Sequence, residues 1–292
     1  MTADHLSVPC VGGGTFSIEV SRAVHRRTSS YQDITVYDTK AFGKCLVLDG
    51  LIQSSEADHR VYDRAALRNL SPRDDRILVL GGGDGYVAAT ALEMNPSLRV
   101  TIVELDPAVV EVSREFLEQG VFDDPRITFV IEDAVDFLRH APEKTYDGVV
   151  CDLTDFPLGQ GDDGFQLFYS DIFSLVEGVM KTGAWIAVYS GSKGATDSGG
   201  ALVTDILAGM LARHFAGLEN AEILVPCFGE GSCFIHGRLA DPKQPEVVER
   251  TRGVRKKAVP TPGTDRSLAA GGVAEVSPSK RRLRRKRSPG KQ

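Results

Sequence analysis

From about residue 77 onward, short unbroken apolar runs alternate with amphipathic stretches. Residues 77–80, 100–105, Ile127–Ile131, Tyr146–Asp152 and 184–189 read as buried strands. Residues 85–94, 107–117, Ala134–His140, 166–180 and 200–215 have helical spacing between them, with Pro107 opening one helix and Asn95-Pro96 stopping another. Residues 223–225 and 233–236 are two further strands that could close the sheet. Continuous apolar strands separated by helices predict a doubly wound α/β fold, its mostly parallel sheet covered on both faces. The first 60 or so residues differ. Residues 16–20, 31–37, 45–48 and 51–53 are short strands with turns at Phe42-Gly43-Lys44 and Asp49-Gly50, which predicts a small antiparallel domain. The expected organisation is an N-terminal β domain (1–62), a Rossmann-like domain (63–240) and a tail (241–292).

Charge sharpens that division. Residues 1–240 carry 19 Lys and Arg against 35 Asp and Glu, whereas residues 241–292 carry 15 against 5, within a chain whose net charge is −6. An acidic body attracts cationic ligands and repels nucleic acid. The tail is rich in Pro, Gly, Ser and charge, so it reads as disordered. Its run 280–287 (KRRLRRKR) has no aromatic residues between the basic ones for base stacking, so a solvated tail is favoured over nucleic-acid binding or nuclear targeting. No apolar run approaches the roughly 18 residues of a membrane helix, and no secretory signal pattern opens the chain. Five cysteines without a CxxC disfavour both a disulfide framework and a zinc site, and fit a reducing cytoplasm.

Candidate chemistry collects at the carboxyl ends of the predicted strands. Gly81-Gly82-Gly83-Asp84-Gly85 lies between a strand and a helix, where glycine lets a ligand approach the backbone. Glu104 ends the next strand, where a carboxylate accepts from ribose hydroxyls. Glu132-Asp133-Ala134 follows the third strand. A glycine turn with solvated acids is the plainer reading, but three such loops in register favour nucleoside binding. Asp84 within the loop, and the absence of a P-loop lysine, argue against a phosphate.

The order of motifs resembles the polyamine aminopropyltransferases (spermidine and thermospermine synthases). The resemblance rests on Tyr31-Gln32-Asp33-Ile34; Phe42-Gly43; Leu46-Val47-Leu48-Asp49-Gly50 with Ile52-Gln53; Glu56, Asp58 and Tyr62; the GGGDG loop; Glu104-Leu105-Asp106; Asp124-Pro125-Arg126; Asp133; and Asp152-Leu153-Thr154-Asp155. Phe165-Gln166-Leu167-Phe168-Tyr169 is similar to the thermospermine synthase version. It covers roughly residues 14–238, and implies a seven-stranded sheet of the class I methyltransferase type. It also implies decarboxylated S-adenosylmethionine as co-substrate, with no metal. By position, Gln32, Gly81, Gly83, Asp84, Glu104, Asp133 and Ala134 would hold this donor. Tyr62, Asp155 and Phe228 would hold an acceptor amine, with Asp152 the general base. The resemblance further implies a homodimer or homotetramer through the β domain.

The chemistry is consistent with these residue types. An alkyl amine, with a pKa of about 10.4, must lose a proton before it can attack carbon beside a sulfonium. The main rival is a methyltransferase using full S-adenosylmethionine. Such enzymes commonly place an acid two residues before the first glycine, where this chain has Val79, while Asp84 would repel a carboxylated tail. A catalytically degenerate nucleoside or polyamine binder is the non-enzyme alternative. Departures from the family pattern cluster on the acceptor side: His59 and Arg64 replace carboxylates, Phe156 precedes Pro157, and Phe228 stands where a tyrosine is usual. They predict an acceptor other than ordinary putrescine, or a weakened activity. Trp185 and Phe129 are expected in the core. His214, His236 and Cys151 read as structural, Tyr86 as a packing or donor-covering ring, and residues 159–164 as a loop over the acceptor site.

Overall fold

The computed structural model describes residues 4–117, 119–153 and 162–240. The basic tail, Asp155 and Phe156 lie outside them. Five strands, β1 (Asp4–Pro9), β2 (Thr15–Thr28), β3 (Asp33–Thr39), β4 (Gly43–Leu48) and β5 (Leu51–Ser55), form an antiparallel meander in sequence order. Asp49 and Gly50 both adopt positive φ (49° and 84°), the type I′ geometry whose twist suits a two-residue hairpin between Leu48 and Leu51. β1 has no counterpart among the sequence-predicted strands, since a Pro at its end and the GGG that follows mask its alternation. β2 runs well beyond the expected 16–20.

Residues 59–66, to which periodicity assigned no element, form α1 (His59–Ala66), which runs through the expected junction at 62–63. The second sheet then alternates as anticipated: β6 (Arg76–Gly81), α2 (Tyr86–Met94), β7 (Arg99–Glu104), α3 (Pro107–Phe116), β8 (Ile127–Ile131), α4 (Ala134–His140), β9 (Tyr146–Asp152), α5 (Asp162–Val179), β10 (Met180–Ser192), α6 (Val203–Leu211), β11 (Phe215–Leu224) and β12 (Gly231–Leu239). Strand order is β11-β12-β10-β9-β6-β7-β8, with β12 antiparallel to β10 and β11, and the other neighbours parallel. This is the doubly wound seven-stranded arrangement. Gly164, expected in a loop, lies inside α5.

Side chains alternate across the strands, so the central strands feed two cores. Leu78, Leu80, Val149 and Ile186 pack with Leu138, Phe173 and Leu207 of α4, α5 and α6. Ile77, Val79, Val150 and Phe234 pack with Ala66 and Ala91 of α1 and α2. Trp185 belongs to this second layer. Its ring lies where a Cβ on Gly148 would fall (2.1 Å), and its Nε1 donates to Asp74 Oδ2 at 2.8 Å. The β1–β5 sheet is joined to the body on both faces. Ile34, Val36, Leu46 and Leu48 pack on Val109 and Val112 of α3, and Val8, Ile18, Val47 and Ile52 pack on Val225 and Cys227 at a single 3-10 turn, Pro226–Phe228. The described residues belong to one compact unit, and among them no helix is long and apolar enough to cross a membrane.

Candidate active site

A cavity of about 700 Å³ opens at the carboxyl ends of β6, β7 and β9, under the β1–β5 sheet. Gln32, Tyr62, Gly81, Gly83, Asp84, Glu104, Asp133, Ala134, Asp152 and Phe228 all line it. Asp155, the remaining sequence-predicted site residue, lies outside the described residues. Residues up to 196 positions apart therefore converge on one hollow.

Close approach of backbone explains the glycine loop. Gly81 has φ 84°, and a Cβ there would fall 1.9 Å from the Asp152 carbonyl oxygen. Gly83 has no unusual φ, but a Cβ would fall 2.7 Å from Glu104 Oε2. The loop thus lies directly against the Asp152 backbone and the Glu104 carboxylate on the two neighbouring strands. Glu104 is fixed by the N–H groups of Gly83 (3.1 Å) and Asp106 (3.0 Å), and burial raises its pKa. Asp133 caps α4, its Oδ1 accepting from the Val135 and Asp136 N–H groups at 2.8 and 3.2 Å. Gln32 donates through Nε2 to Asp106 Oδ2 at 3.1 Å, which leaves its carboxamide oxygen available to a ligand.

Asp152 ends β9 and accepts a short hydrogen bond from the Tyr62 hydroxyl. Burial pushes the Asp152 pKa up to about 7; the Tyr62 bond opposes this, and the charges of Asp84, Asp63 and Glu104 reinforce it. Burial holds Tyr62 well above the usual phenol range, so it remains a donor. Burial also raises the pKa of Asp84, whose Oδ1 takes the Tyr86 N–H at 3.1 Å. Four carboxyls, Asp63, Asp84, Glu104 and Asp152, are raised together by burial and mark a site suited to cations. Aromatic rings wall one side: Tyr62 makes edge or tilted contacts with Tyr189, Phe228 and Phe234 at 4.9–6.2 Å between centroids. Phe165, Phe168 and Tyr169 of α5 also line the cavity.

Two neighbours of the site, Asp58 and Asp63, were assigned no role by the sequence reading. Asp58 accepts from Ser55 Oγ (2.6 Å) and from the Cys227 N–H (2.7 Å), tying the start of α1 to the turn that carries Phe228. Asp63 is buried, accepting from Thr90 Oγ1 at 2.6 Å and from His59 Nδ1 at 2.7 Å. The i, i+3, i+4 spacing of His59, Tyr62 and Asp63 was the available signal, but it means something only once a helix is assigned there. Arg64, by contrast, is exposed and does not line the cavity, so that substitution leaves the site untouched. Cys151 is buried with its pKa raised to about 12 by burial, which makes it an inert thiol; all five cysteines are free. His236 is buried and neutral, its pKa lowered to about 4 by burial, and His214 bonds Glu177 at 2.7 Å. Tyr86 packs against His59, with ring centroids 3.9 Å apart. Phe129 is half-buried and stacks on Phe122.

Comparison with known proteins places this geometry. Residues 66–233 match the family profile of the spermine/spermidine synthase domain, and residues 12–56 that of the spermidine synthase tetramerisation domain. The chain is 31% identical to polyamine aminopropyltransferase 1 of Hyperthermus butylicus over 245 residues, 80% of this chain and 82% of that enzyme. It is 32% identical to the polyamine aminopropyltransferase of Pyrobaculum calidifontis over 263 residues, 85% of this chain and 88% of that one. The crystal structure of spermidine synthase from Thermotoga maritima shares the fold, with a TM-score of 0.71 at 19% identity over 82% of this chain and 80% of that one. On the extent of these matches, the chain belongs to the spermine/spermidine synthase family.

Proposed function

We propose that this protein transfers the aminopropyl group of decarboxylated S-adenosylmethionine to a di- or polyamine, releasing methylthioadenosine. The observation that carries this reading is the Tyr62–Asp152 pair beside the glycine loop: a carboxylate with its pKa near 7, in a cavity also lined by the carboxyls of Asp63, Asp84, Glu104 and Asp133. In the proposed reaction, the acceptor nitrogen's lone pair attacks the aminopropyl carbon bonded to the sulfonium. The carbon–sulfur bond breaks, and its electron pair stays on sulfur as a neutral thioether. Asp152 takes the proton that the acceptor ammonium must lose to free that lone pair, and the product is left as a secondary ammonium. A carboxylate titrating near 7 is a stronger base than an ordinary one, yet still ionised at mildly alkaline pH. Tyr62 orients its lone pairs.

Glu104 would accept from the ribose hydroxyls, Asp133 and Ala134 would border the adenine, and Gln32 and Asp84 would face the sulfonium and its ammonium tail. Phe228 borders the proposed acceptor end, to which the family resemblance also assigns Asp155. The methyltransferase reading is less well supported, because Val79 is fully buried in β6 and offers no acid for a methionine ammonium. The intact Tyr62–Asp152 pair likewise speaks for an enzyme over a degenerate binder. A homodimer or homotetramer through the β1–β5 sheet, in the cytoplasm, belongs to the same proposal.

The test is release of methylthioadenosine from decarboxylated S-adenosylmethionine with a panel of diamines and polyamines. Asp152→Asn should abolish release and leave donor binding within a few-fold of wild type. No release with any amine, despite donor binding, would return the protein to the binder class.

A further inference from the structure

The face of α1 turned to the cavity carries an arrangement that aminopropyl transfer leaves unused. Asp63 is 2% exposed, and its Oδ2 receives both Thr90 Oγ1 and His59 Nδ1. An ionised carboxylate only accepts, so Nδ1 carries a hydrogen and the ring orientation is fixed. Tyr86 clamps the imidazole by stacking at 3.9 Å between centroids. With Nδ1 committed to Asp63, Nε2 is the ring nitrogen left to meet a ligand, and His59 lines the cavity. The same Tyr86 donates its backbone N–H to Asp84, so imidazole and Asp84 carboxylate flank one stretch of wall.

We propose that His59, oriented by Asp63, is a specificity-determining residue that reads the tail of the sulfonium ligand. When neutral, its Nε2 accepts a hydrogen bond from a tail ending in ammonium. When protonated, it offsets the Asp84 charge and admits a tail that also bears a carboxylate. This rests on the reading of the cavity as a sulfonium-nucleoside site. Gain or loss of one proton on the ring therefore changes the selectivity. Asp63 is bound to it, and Asp58 is turned to Ser55 and Cys227. Asp84 faces it from the loop before α2. On α2 itself, Tyr86 stacks on the ring, Thr90 bonds Asp63, and Glu93 pairs with Arg60.

The experiment is calorimetric titration of the full chain with decarboxylated S-adenosylmethionine and with S-adenosylmethionine, at about pH 6 and 8.5. In the wild type, preference for the decarboxylated ligand should rise about tenfold from the lower to the higher pH, as expected for one charge whose interaction with the tail is partly screened by water. In His59→Gln the preference should stay within about twofold across that range. Asp152 and the ligands' own groups are present in both proteins, so the difference between them reports residue 59 together with the Asp63 and Asp84 carboxyls on which its charge acts. His59→Asn, whose amide can still donate to Asp63, is the second variant should the first unfold. A wild-type preference that ignores pH, or a variant that keeps the wild-type pH dependence, overturns the proposal. Failure of the wild type to bind either nucleoside would instead overturn the functional reading beneath it.

Discussion

Asp152→Asn should remove activity and at the same time stabilise the protein, with a gain that depends on pH. The carboxyl titrates at about 7 in the fold against an ordinary 3.8. Between those values the native state binds more protons than the unfolded chain, so stability falls as pH rises. Fully developed, that difference corresponds to about 4 kcal/mol at 1.36 kcal/mol per pH unit. Asp152 is only half-buried and borders an open cavity, and water there reduces the penalty; about 1–3 kcal/mol is the expectation. Asparagine keeps an oxygen to accept from Tyr62, so removing the charge does not orphan that hydroxyl. At about 2–4 °C per kcal/mol, Tm of the variant should exceed wild type by about 3–10 °C at pH 8 and by almost nothing at pH 4. Scanning calorimetry of both proteins across that range is the assay. A variant that melts below wild type at pH 8, or by the same margin at every pH, would refute the claim that Asp152 is held against its ionisation.

Tyr62→Phe removes the bond that holds the Asp152 pKa down. The acidic limb of the kcat/KM profile should move upward by about one pH unit, a shift of the size expected for a hydrogen bond to a charged group; an unmoved limb would break the link between the two residues. Gly81→Ala puts a methyl 1.9 Å from the Asp152 carbonyl at a φ of 84°, so turnover should fall at least about a hundredfold even where circular dichroism shows a folded chain. Glu104→Gln retains acceptors for the Gly83 and Asp106 N–H groups on only one of its two terminal atoms, so donor Kd should rise about tenfold or more with little change in the acceptor KM.

The amino-acid order alone specified the alternation that builds the parallel sheet. Ile127–Ile131, Ala134–His140 and Tyr146–Asp152 form elements with the bounds their periodicity predicts, because buried strands and amphipathic helices write their burial locally. The motif order was also enough to bring Asp84, Glu104 and Asp152 into one hollow, since the carboxyl ends of parallel strands share an edge whatever the loops do. Helix α1 was not legible. It starts without a side-chain cap, and its register becomes visible only through contacts with α2 and β9. The consequence is chemical. His59 and Arg64 look equivalent in the sequence as lost carboxylates, yet the helix turns one into the cavity and the other to solvent. The pairing of Tyr62 with Asp152 and of His59 with Asp63, and the rise of the Asp152 pKa, follow from distances and dielectric that no local pattern encodes. Which side chains are present is written along the chain; which of them share a proton or a charge is decided by how the packed elements exclude water between them.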